Sequence, residues 1–127
     1  MKLDQDLVRE ILLVVEASEE DPRASISLVV EGKTPMVVSY HVMLLHEAGL
    51  LVGQSHNHLG PGGFIWEPKH LTYRGHEFLD TVRDGEVWRR TKAGAEKAGV
   101  AGLGMLLDLG KAISKQMLKE KLGIELP

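Results

Sequence analysis

The 127-residue chain contains no cysteine. Disulfides and thiolate chemistry are therefore excluded, and the composition suits a reducing cytosol. Long apolar runs are also missing: no stretch approaches the roughly 20 residues that span a bilayer. The opening MKLDQDLVRE is acidic and lacks an uninterrupted apolar segment, so it does not read as a signal peptide. The expectation is a soluble, cytoplasmic protein with no membrane partner. Positive charge is in short supply too, 15 Lys and Arg against 18 Asp and Glu, for a net charge of −3. Residues 1–32 hold three basic and eight acidic side chains, and the remainder twelve and ten. That asymmetry leaves room for a local basic face but lacks the strong footprint usual in nucleic-acid binders. The glycines at 60, 62 and 63 follow neither a P-loop nor a dinucleotide spacing, and no cofactor is expected. What is present is an ordinary globular composition, 43% hydrophobic and 26% charged. A chain of this length fits one domain that buries about two-thirds of its unfolded surface.

Apolar residues Leu7, Val8, Ile11, Leu12 and Val15 recur at helical spacing, which predicts a helix over 4–17 capped or charged by Asp4 or Asp6. Pro22 closes that segment. Ser25 to Val30 reads as a short strand. Thr34-Pro35 is a helix start, and Gly49 stops that helix after Ala48. Leu50-Leu51-Val52 and Phe64-Ile65-Trp66 are strand-like runs on either side of GQSHNHLGPGG, which predicts a hairpin with a long tip. Further helices are predicted from Leu71-Thr72 to Val82, from about Glu86 to Ala98, and from about Leu103 to Leu122. Helix, strand, helix, hairpin, helix is the winged-helix order. The predicted fold is α+β and mostly helical, with a winged-helix core over 1–83. A C-terminal helical extension over 84–127 is expected to pack on the same domain or on a dimer mate.

The segment Val38-Ser39-Tyr40-His41-Val42-Met43-Leu44-Leu45-His46-Glu47-Ala48-Gly49-Leu50-Leu51 resembles the recognition helix and first wing strand of bacterial winged-helix regulators. Val38, Val42 and Leu45 are predicted to face the core. Leu71-Thr72-Tyr73-Arg74-Gly75-His76-Glu77-Phe78-Leu79-Asp80 resembles the L-T-x-x-G segment that closes the wing. Nearly the whole chain is also similar to an uncharacterised family of phage and bacterial proteins, on the matches Asp4 to Leu13, Tyr40 to Leu50 and Leu71 to Asp80. The resemblance implies the fold and a phage or prophage setting, with no activity. ASISLVVEGKT, between Pro22 and Pro35, is too short for a strand plus the usual extra helix. The helix-turn-helix is therefore degenerate, a departure from standard DNA docking.

Two readings of the surface stay open. As a DNA-binding regulator, the chain would present Met36, Ser39, Tyr40 and Met43 on the outward face of the second helix, with Lys33 and Thr34 at its start. Gln54, His56, Asn57 and His58 would then reach phosphates or a minor groove from the wing. That face lacks the arginine and asparagine on which direct readout leans. As a non-catalytic interaction module, phage- or host-directed, the same surface would bind a protein, for which exposed methionine is well suited. His56 and His58, near His70 and His76, invite a zinc site, but neither cysteine nor a suitably spaced carboxylate completes it, and no metal is expected. Arg89, Arg90, Lys92 and Lys97 form a basic cluster that reads first as a solvated helix face. No nucleophile motif or carboxylate pair points to an enzyme. On the last helix Leu103, Leu106, Leu107, Ile113, Met117 and Leu118 share a stripe, with Gly110 inside it, that must be covered, by the domain's own core or by a second copy in a homodimer.

Overall fold

In the computed structural model of the chain, residues 1–99 and 102–123 are described. The first helix, α1 (Gln5–Ala17), buries Leu7, Val8, Ile11, Leu12 and Val15, the stripe its spacing implies. Asp4 caps it, with Oδ1 accepting the Leu7 N–H at 3.1 Å. The second, α2 (Pro35–Glu47), starts at Thr34, whose Oγ1 accepts the Val37 N–H at 3.3 Å, and ends before Gly49 at φ +76°. Val38, Val42 and Leu45 are buried, as predicted. Strands β1 (Leu51–Ser55) and β2 (Trp66–Leu71) form an antiparallel hairpin with a register shift between Val52 and Gly53. Three helices follow: α3 (Tyr73–Val82), α4 (Gly85–Ala98) and α5 (Leu103–Leu122). The order α1-α2-β1-β2-α3 makes a winged-helix-like core of mixed α+β type, to which α4 and α5 are additional.

The chain forms two compact units, Met1–His76 and Glu77–Pro127. In the first, α1, α2 and the hairpin share a core that includes Ile11, Val42, Leu45, Leu50 and Leu51. The hairpin is locked to the start of α3 by Thr72. Its N–H donates to the Leu50 carbonyl at 3.1 Å, and its Oγ1 donates to the Gly49 carbonyl at 2.5 Å. The same Oγ1 accepts the Gly75 N–H at 3.0 Å. A Cβ on Gly75 would sit 1.8 Å from the Leu50 oxygen. The L-T-x-x-G pattern is thus a cap and a close backbone approach in one device.

The second unit packs α4 on α5. Asp84 caps α4 by accepting the Glu86 and Val87 N–H groups, and Gly99 ends it at φ +72°. Gly110 lets α5 approach closely: a Cβ there would meet Val82 Cγ1 at 3.2 Å and Thr81 Cγ2 at 3.3 Å. Of the predicted stripe, Leu106, Leu107, Met117 and the inset Gly110 are buried within the chain, Leu103 and Ile113 are half-buried, and Leu118 is exposed.

Two expectations need correction. Ser25 to Val30 forms no strand and belongs to no sheet, and its backbone makes one bond to the hairpin among the described residues, Ile26 N–H to the Pro68 carbonyl at 2.8 Å. Pro68 has no N–H to return, and the Trp66 N–H, two residues along, is taken by Ser39 Oγ at 3.1 Å. A ladder cannot propagate from there. The second hairpin strand also starts at Trp66 rather than Phe64, because the Ile65 N–H goes to the Asn57 side chain at 2.7 Å instead of to the facing backbone. No helix lies between α1 and α2 among the described residues.

Candidate functional site

Between the start of α2, residues 27–29 and the second arm of the hairpin lies a groove of about 590 Å³. Pro35, Met36, Val38 and Ser39 come from α2, Ser27, Leu28 and Val29 form one wall, and residues 60–67 supply the other wall and the tip. Its lining is mostly apolar, and Glu67 is the one charged residue in it among the described residues. Val29 is 89% exposed and Met36 54%, so two large apolar side chains stand open to solvent here. Exposed apolar surface of this kind, gathered in a concave site, is the usual mark of a binding surface.

Polar contacts tie α2 to the hairpin around the groove. Ser39 Oγ ties α2 to the Trp66 backbone. His46 accepts the Gly53 N–H at 3.1 Å on Nδ1, and its ring lies 5.4 Å from the Trp66 ring. Glu67 Oε1 is 3.2 Å from His56 Nε2, which also lies 3.3 Å from Ser25 Oγ. Both contacts fall on one ring nitrogen, so this trio lacks the relay through two nitrogens that a catalytic serine needs. Beyond the formal strands the hairpin continues through His56 N–H to the Ile65 carbonyl and His58 N–H to the Gly63 carbonyl, each 2.8 Å. A Cβ on Gly63 would overlap the His58 oxygen at 1.8 Å, which makes glycine the residue that closes the tip.

The residues expected to form a binding face differ in their exposure. Met36 lines the groove and is exposed, and Tyr40 and Met43 are half-buried. Ser39 is buried, not outward-facing, because α2 tucks a broad arc that also includes His41. Lys33 and Thr34 are exposed, but Lys33 Nζ is 2.7 Å from Asp4 Oδ2. That ammonium holds the Asp4 carboxyl below its ordinary range, with the Leu7 N–H assisting against partial burial, and the Lys33 pKa is raised in return. Gln54, His56, Asn57 and His58 are exposed, yet Asn57 and His56 are engaged within the hairpin as described. Lys69 is the one Lys or Arg in the hairpin, and α2 contains neither.

Among the described residues no group of three His, Asp or Glu side chains is placed to hold a metal ion, and no helix is long and apolar enough to cross a membrane. Part of the α4 cluster is paired. Arg89 and Arg90 both bond Glu86 Oε1, at 2.6 and 3.0 Å, and hold its carboxyl below the usual range, while Lys92 lies 5.7 Å from the centre of the Trp88 ring. Sequence reasoning missed Val29, Phe64, Trp66 and Glu67 as site residues. The available signal was the strand-like run SISLVV with no obvious partner strand.

A family model described as a hypothetical protein (DUF2513) matches residues 2–101. A curated bacterial relative, an uncharacterized protein of Haemophilus influenzae, is 34% identical over 125 residues, which cover 96% of this chain and 99% of the relative. No solved structure matches the chain significantly.

Proposed function

We propose, for a chain that belongs to the DUF2513 family of hypothetical proteins, a non-catalytic role as a protein-binding module, an adaptor of phage- or host-directed type. The groove beside α2 is its docking surface. One observation carries this reading: the groove is apolar, partly exposed, and charged only by a carboxylate. Duplex DNA presents closely spaced negative charge, and a protein that binds it gains most of its affinity by neutralising phosphates. Here Glu67 lies in the groove, and the charge of Lys33 is met by Asp4. A polypeptide, by contrast, gains from covering Val29, Met36 and Phe64.

The DNA reading retains the winged-helix order and the exposed His58 at the wing tip. The two are separated by paired measurements on the intact protein. A photo-crosslinking amino acid at Met36 should attach a protein in cells and lose it when Val29 is replaced by Asp. Anisotropy with duplex DNA at low salt should show no saturable binding. Saturable, salt-sensitive DNA binding weakened by Lys69→Ala, without a protein crosslink, would replace this reading with the regulator.

A further inference from the structure

Ser25–Val30 has the composition of a strand yet stays outside the sheet. The backbone of residues 27–29 makes no hydrogen bond among the described residues. The facing wall is similarly open. Gly63 and Ile65 give their carbonyls to His58 and His56 across the hairpin. Strand alternation therefore turns the Phe64 and Trp66 carbonyls, and the Phe64 N–H, away from the first arm and toward the groove. Pro68, two residues farther on in the same alternation, is where Ile26 bonds. Ile26 and Pro68 thus bond at one end, and beyond them residues 27–29 and 64–66 line one groove together with Met36 and Val38. Open backbone edges accept added strands.

We infer that the groove takes an extended segment of a partner polypeptide as an added strand between residues 27–29 and 64–66, with a Lys or Arg of that segment paired to Glu67. The inference rests on the protein-binding reading and specifies its ligand. Main-chain bonds to both walls would supply affinity, and alternate side chains on the apolar floor would supply selectivity. Charge complementarity fixes the remaining feature. Glu67 Oε1 faces His56, but its Oε2 has no hydrogen bond or ion pair among the described residues, and nothing else lining the groove is charged. An acidic ligand residue at that point would be repelled, and a basic one would complete the site.

A random linear dodecapeptide library displayed on phage, selected on the full-length protein, tests this. Enriched sequences should carry a short β-branched or aromatic stretch with one Lys or Arg and no internal proline. In a synthetic peptide of the enriched sequence, N-methylation of a central backbone amide should weaken binding about tenfold, the loss expected when one or more main-chain hydrogen bonds are removed. Amide resonances of residues 27–29 and 64–66 should shift on binding. Glu67→Gln, which keeps the side-chain shape, should abolish the preference for a basic residue, and Glu67→Lys should reverse it toward Asp or Glu. Helically spaced consensus residues, indifference to N-methylation, or no enrichment would overturn the strand inference, and a surviving Met36 crosslink would show that the protein-binding reading stands without it. Loss of both the crosslink and the enrichment would remove both. Concentration-dependent dimers abolished by Val29→Lys would make a second copy the occupant and overturn the proposed partner.

Discussion

His41 is held at both ring nitrogens: Nε2 accepts the Asp4 N–H at 2.8 Å, and Nδ1 lies 2.8 Å from the Val37 carbonyl. Only the neutral ring with its proton on Nδ1 makes both bonds together. This buried side chain therefore connects α2 to the cap of α1, and His41→Phe, which leaves the Asp4 N–H without its acceptor, should cost about 1–3 kcal/mol in chemical denaturation. Asp4 gives a pH signature. Its folded-state pKa is lowered, chiefly by the Lys33 hydrogen bond. Its contribution to stability is thus fully present above the ordinary carboxylate pKa and is lost as pH falls through the lower folded value. Asp4→Asn should flatten part of the decline in melting temperature on acidification. An unchanged acid limb would mean that the Lys33 contact adds nothing in solution. Gly75→Ala should be far more damaging than its size suggests, because the new Cβ meets backbone oxygen rather than a movable side chain. A melting temperature within a few degrees of wild type would show that α3 can shift to accept it.

At the level of elements, the helices and the hairpin were largely legible, and the fate of the run SISLVV was not. Thr34-Pro35, Gly49, Gly99 and Gly123 mark helix ends by local chemistry, so the bounds of α2, α4 and α5 follow closely from the residues themselves. Whether SISLVV pairs with a neighbour depends on Pro68 and on the Ser39 hydroxyl, which lie far from it in sequence. No local pattern carries that information. Ser39 itself was misplaced because the buried arc of α2 is wider than its apolar residues alone indicate. The groove escaped the sequence for the same reason: its walls come from three separated segments. In α5, fully buried Leu106 sits beside the Gly110 contact, and Leu106→Ala should cost about 2–5 kcal/mol, read by denaturant midpoint.

For the molecule as a whole, the proposed assembly turns on the α5 stripe. With Leu106, Leu107, Met117 and Gly110 buried within the chain and Leu118 alone of the stripe exposed, we expect a monomer at high micromolar concentration by sedimentation, with Ile113→Glu lowering the melting temperature but not the mass. A wild-type dimer that Ile113→Glu converts to a folded monomer would instead assign the stripe to an interface. The Thr72 lock also bears on the order of events when the chain folds. Thr72 and Gly49 are 23 positions apart, so their bond must await closure of the intervening loop, and the hairpin is what brings them together. We expect a contact of that kind to form on the native side of the rate-limiting barrier. Thr72→Val should therefore leave the refolding limb of the chevron nearly unmoved and accelerate unfolding, so that the hydroxyl governs how long the native state lasts rather than how fast it is reached.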